Sequence, residues 1–88
     1  MTVGQFAVSK AGHDKGALYV IVAQEGEFAF LCDGRAKTPK NPKKKRLKHI
    51  QPVGRTVEET MLQRLKEGEK VYPEEIKYAI KQYNKELQ

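Results

Sequence analysis

The sequence predicts a mainly β domain with an α-helical C-terminus: a small curled antiparallel barrel followed by two short helices. Three observations predict it. The first third holds short β-branched and aromatic runs separated by glycine turns. The middle is a lysine cluster broken by prolines, and the last third carries two amphipathic segments with helix start and stop residues. A chain of 88 residues has room for one hydrophobic core. The expected division is a barrel over residues 1–55, with a basic loop at 35–48, and a helical extension over 56–88 packed on it.

The elements follow in order. Gln5-Phe6-Ala7-Val8-Ser9 reads as a first short strand. Ala11-Gly12-His13-Asp14-Lys15-Gly16 is a turn, because its glycines reach positive φ without a Cβ clash. Leu18 to Ala23 is a continuous β-prone run suited to a strand buried on both faces. Gln24-Glu25-Gly26-Glu27 has hairpin-turn chemistry, Phe28 to Cys32 returns as the next strand, and Asp33-Gly34 ends it. Residues 35–48 contain Pro39 and Pro42 and two apolar side chains, Ala36 and Leu47, so an exposed loop is expected there. Leu47, Ile50 and Val53 then read as a short strand that closes the sheet. Thr56 and Glu59 fit a capping box at the start of a helix, and Val57, Met61, Leu62 and Leu65 fall near one of its faces. Gly68 supplies its stop. Pro73 opens a second helix, with Glu74 and Glu75 near its positive end and Ile76, Ala79, Ile80, Tyr83 and Leu87 along one stripe.

Charge separates the three parts more sharply than hydropathy does. The net charge is +6, yet residues 1–33 sum to −2, residues 34–57 to +9 and residues 58–88 to −1. Nine cations without one acid in 24 residues point to a polyanionic partner at one face. Cys32 is the only cysteine, which excludes an internal disulfide and a cysteine-rich zinc site. No apolar run approaches the roughly 18 residues of a membrane span, and no secretory leader is read at the start, so no membrane association and a cytoplasmic location are expected. No metal or other cofactor is expected.

At these residues the sequence resembles a known family. Val3-Gly4-Gln5-Phe6-Ala7-Val8, then Gly12-His13-Asp14-Lys15-Gly16 and the run to Val22, resemble a KOW motif. Leu31-Cys32-Asp33-Gly34 and the stretch from Lys45 to Gln51 extend the likeness to the branch with archaeal and eukaryotic large-subunit ribosomal proteins of the fourteen-e type and their small bacterial relatives. The resemblance covers roughly residues 3–53. It implies an SH3-like barrel that binds RNA. The near-neutral helical tail departs from the basic extension of a ribosomal protein and fits a ribosome-associated factor equally well.

Phosphate contact is expected first from Lys43, Lys44, Lys45 and Arg46, with Arg35, Lys37, Lys40 and Lys48 beside them. Lys10, His13 and Lys15 surround the glycine turn, where backbone N–H groups can also meet a phosphate. His49 adjoins Lys48 and is either a donor to phosphate or a structural side chain. No aromatic lies within the basic segment to stack on a base, so shape and backbone recognition of folded RNA is expected rather than sequence readout. No helix shows a basic face for a DNA major groove. The paired glutamates are explained by helix starts, there is no phosphate-cradling glycine loop and no metal-ligand spacing, and no enzymatic activity is expected. The expected function is therefore a monomeric RNA-binding protein, ribosomal or ribosome-associated, on large-subunit ribosomal RNA and in contact with ribosomal proteins. The alternatives are a protein-interaction module docking onto the ribosome or the transcription machinery, a small RNA-modifying or hydrolytic enzyme with converging carboxylates or histidines, and, for Pro42 to Arg46, an import signal.

Overall fold

A computed structural model describes residues 2–87. Five strands form one antiparallel sheet: β1 (Gln5–Ser9), β2 (Leu18–Glu25), β3 (Phe28–Cys32), β4 (Lys43–Arg46) and β5 (Ile50–Thr56). Two helices follow, α1 (Glu59–Lys66) and α2 (Pro73–Glu86). The strand order is β4-β3-β2-β1-β5, so β4 and β5 are the two edges. They are joined by a 3-10 turn, Leu47–His49, but no register pairs them, and the sheet is open rather than closed.

The strand period sorts the core into two layers. Phe6, Val20 and Cys32 point to one face, where Val57, Met61, Val71 and Ile76 cover them. The Phe6 and Tyr83 rings meet there at 4.8 Å between centroids. Ala7, Tyr19, Ile21, Ala29, Leu31 and Ile50 point to the other face and pack among themselves, with Leu47 of the 3-10 turn beside them. A sheet buried on both faces explains why β2 reads as unbroken apolar sequence at Tyr19-Val20-Ile21.

Several expectations are corrected. The basic segment is not a loop throughout: residues 43–46 form edge strand β4, with Phe28 opposite Arg46 and Leu31 opposite Lys43. Lysine has little intrinsic β preference. Here β3 supplies the ladder, and lysine on an edge strand discourages further pairing. The strand expected at 47–53 begins instead at Ile50, after the 3-10 turn, and runs to Thr56. Thr56 therefore ends a strand, and Glu58 caps α1 by accepting hydrogen bonds from the N–H groups of Thr60 (3.0 Å) and Met61 (2.7 Å). Leu87, expected on the apolar stripe of α2, is exposed beyond the end of the helix. Gly68 and Pro73 stand where the sequence places them, just past α1 and at the first turn of α2.

Candidate nucleic-acid interface

Alternation along β4 divides the lysine run in two. Lys43 and Lys45 lie opposite Leu31 and Ala29, whose side chains belong to the layer away from the helices, the inner layer; Lys44 and Arg46 lie opposite Phe30 and Phe28 on the other, outer face, the face that the helices cover further along the sheet. Four consecutive cations therefore do two different jobs.

The inner pair converges on Asp14, which the β1–β2 turn brings to the sheet. Lys45 Nζ donates to Asp14 Oδ1 at 2.7 Å and to the Ala11 carbonyl oxygen at 2.8 Å. Lys43 Nζ lies 3.4 Å from Asp14 Oδ2. Ser9 Oγ donates to Oδ1 at 2.9 Å and Tyr19 OH donates to Oδ2 at 2.8 Å. The Lys45 and Asp14 side chains are 10% and 14% exposed, so the pair is nearly withdrawn from water. Desolvation alone would raise the Asp14 carboxyl; the hydrogen bonds from Lys45, Tyr19 and Ser9 and the charge of Lys43 outweigh it and hold the group well below the usual carboxylate range. Burial, then the Asp14 carboxylate, pushes the Tyr19 phenol up. This network pins the glycine turn to the edge strand. Lys45 is committed to it, and Lys43 is partly so.

The outer pair is held differently. Lys44 Nζ sits 4.4 Å and the Arg46 guanidinium 5.1 Å from the centroid of the half-buried Phe28 ring. A cation over an aromatic face is attracted by the ring's quadrupole while its outer side stays wet. Among the described residues Lys44 has no carboxylate partner, and Arg46 has a loose one, Glu27 at 3.8 Å, itself 84% exposed. Phe28 is the residue that sequence reasoning missed. It lies 16 positions before Lys44, and only the β3–β4 register brings it beneath the cations.

The other expected residues fall into two groups. Lys10, His13 and Lys15 are exposed around Asp14 in the β1–β2 turn, and the N–H of Lys10 donates to the His49 carbonyl oxygen at 2.8 Å. His49 and the exposed Lys48 thus belong to the same end of the sheet as the glycine turn and β4. Arg35, Lys37 and Lys40 lie apart, in the connection from β3 to β4. There Asp33 Oδ1 accepts from the N–H groups of Arg35 (2.8 Å) and Lys37 (3.0 Å), folding the chain back toward α2. Among the described residues no cluster of three or more His, Cys, Asp or Glu could hold a metal, and no helix is long and apolar enough to cross a membrane. Cys32 is buried, and its thiol is pushed up to about 12 by desolvation and then by the Asp33 charge. No protein-family profile matches the chain, and no curated protein sequence matches it either.

Proposed function

We propose that this protein binds structured RNA through phosphate contacts, as a ribosomal or ribosome-associated factor of the KOW type. The observation that carries this reading is the outer face of β4, where Lys44 and Arg46 are ordered on Phe28 with the exposed Glu27, 3.8 Å from Arg46, as the carboxylate beside them. Around the same strand stand Lys10, His13, Lys15, Lys48 and His49, and among the described residues Asp14 is the one carboxylate in direct contact with the β4 inner pair. A cation held in place by an aromatic ring loses less side-chain entropy on meeting a phosphate than a free lysine does. Each neutralised phosphate releases counterions, which supplies affinity without base readout.

The reading of the sheet as an SH3-like barrel is supported by its self-packed inner layer and by a three-residue 3-10 turn that links the two edge strands. The KOW resemblance is supported by β1 and β2 pairing across the glycine turn. On this reading the partner is large-subunit ribosomal RNA, the protein acts as a monomer in the cytoplasm, and it catalyses no reaction.

The test is the salt dependence of binding to purified large-subunit ribosomal RNA. For Lys44→Ala/Arg46→Ala the slope of log K against log salt is expected to become shallower by about 1.4–1.8, at roughly 0.7–0.9 per lost phosphate contact. An unchanged slope with unchanged affinity would falsify the assignment of these two residues. Affinity for ribosomal particles that survives RNase and ignores salt would instead favour docking on protein.

A further inference from the structure

The helical tail, near-neutral in sum, is not neutral in space. Lys77, Lys81 and Lys85 recur every fourth residue along α2 and are all exposed. With Arg35, Asp33, Ile80 and Asn84 they line a cleft of about 680 Å³ between α2 and the β3–β4 connection. Four cations face one carboxylate there, and the Asp33 Oδ1 atom is already taken by two backbone N–H groups. Among the described residues, none of the four cations lies within 4.0 Å of a carboxylate, whereas Arg55 and Arg64 are paired with Glu86 and Glu75.

We infer that this cleft is a second phosphate track, in which the backbone of an RNA strand runs along α2 across from Arg35. The inference rests on the RNA reading above and extends it to a surface that contains no residue of β4. Three arguments carry it. Like charges four residues apart on a helix repel, so the stripe weakens α2 in the free protein and gains only when an anion arrives. Eight residues of helix span about 12 Å, too long for one compact anion and suited to a chain of them. The cleft is also fixed in place: Gly34 has φ +79°, and a Cβ there would lie 2.5 Å from the N of Lys77, so the turn that carries Arg35 is in backbone contact with the start of the stripe. A lipid surface fits less well, because Ile76, Ala79, Ile80 and Tyr83 of α2 are packed against the core, and the exposed Tyr78 and Leu87 are not among the residues that line the lysine cleft.

The test uses the full chain and a labelled RNA hairpin with a single-stranded extension. Lys77→Gln/Lys81→Gln/Lys85→Gln keeps helix propensity and removes the internal repulsion, so thermal stability is expected to be equal or higher. Binding is expected to weaken by tenfold or more at moderate salt, with the slope of log K against log salt shallower by about 2–3. Arg35→Gln is expected to lower the slope by a further unit, roughly. If the triple variant binds as wild type while Lys44→Ala/Arg46→Ala is impaired, the track is wrong and the RNA reading stands. If the wild-type protein does not bind the hairpin or ribosomal RNA at all, both fall. If the triple variant loses binding to phosphatidylserine vesicles and keeps its RNA affinity, the stripe serves a membrane and the inference is overturned.

Discussion

Asp14 is surrounded by three hydrogen-bond donors and a second ammonium, and its nearly dry contact with Lys45 makes it the side chain on which the glycine turn depends. Breaking a buried pair by removing one charge leaves the other unpaired. Asp14→Asn is therefore expected to destabilise the fold by roughly 2–4 kcal/mol at neutral pH in urea unfolding. Lys44→Ala/Arg46→Ala is expected to change stability by less than about 1 kcal/mol. The pH dependence has a definite sign. The folded carboxyl titrates below its unfolded value, so its contribution is complete above pH ~4 and is lost as pH falls toward the folded value. The deficit of Asp14→Asn should thus be full at pH 7 and shrink in acid; a deficit that grew below pH 4 would contradict the network. None of this was visible from the position of Asp14 beside His13. Its ammonium partners lie 29 and 31 residues away in sequence, and short-range reading cannot see them.

The edge strand β4 shows how an element can contradict its own composition. Lys-Lys-Lys-Arg has neither the pattern nor the propensity of a strand, and the ladder offered by Phe28–Leu31 decides otherwise. The reading that treated the four cations as one phosphate-binding unit followed from placing them in a loop; a strand forces neighbours to opposite faces. At the helices, local chemistry was more nearly sufficient. Pro73 and Gly68 mark the helix ends that their chemistry predicts, while the cap of α1 is Glu58, two residues after Thr56, because β5 extends through Thr56. Glu58→Ala is expected to free two N–H groups of the first turn and to lower the unfolding midpoint with unchanged m. At Gly34 both a positive φ and the overlap with Pro73 and Lys77 oppose any side chain. Gly34→Ala is expected to cost about 2–4 kcal/mol and to increase amide exchange in α2. Normal stability would show that α2 is not held by this contact.

On the scale of the molecule, the sheet and the tail share one hydrophobic core. Phe6, Val20 and Cys32 are covered by Val57, Met61, Val71 and Ile76, so the outer layer of the sheet exists as core only when the helices are present. A fragment ending at Thr56 is expected to lose dispersed amide NMR signals and cooperative melting, because it would expose that layer. A fragment that melted like the full chain would refute the shared core. On the proposed RNA reading, RNA in large excess over its dissociation constant is expected to raise the melting temperature by several degrees, less so at high salt, as mass action on the folded state requires.

The sequence by itself determined the first three strands and the two helices, the buried character of β2, and the concentration of positive charge in the middle of the chain. These are consequences of period, turn chemistry and composition, which act between neighbours. The tertiary structure alone decided which cations are occupied and which are available: Lys45 is tied to Asp14, Lys44 and Arg46 rest on Phe28, and Lys77, Lys81 and Lys85 face Arg35. The physical reason is that charge is counted along the chain, whereas its neutralisation depends on distance in space, and strand register and helix packing set those distances.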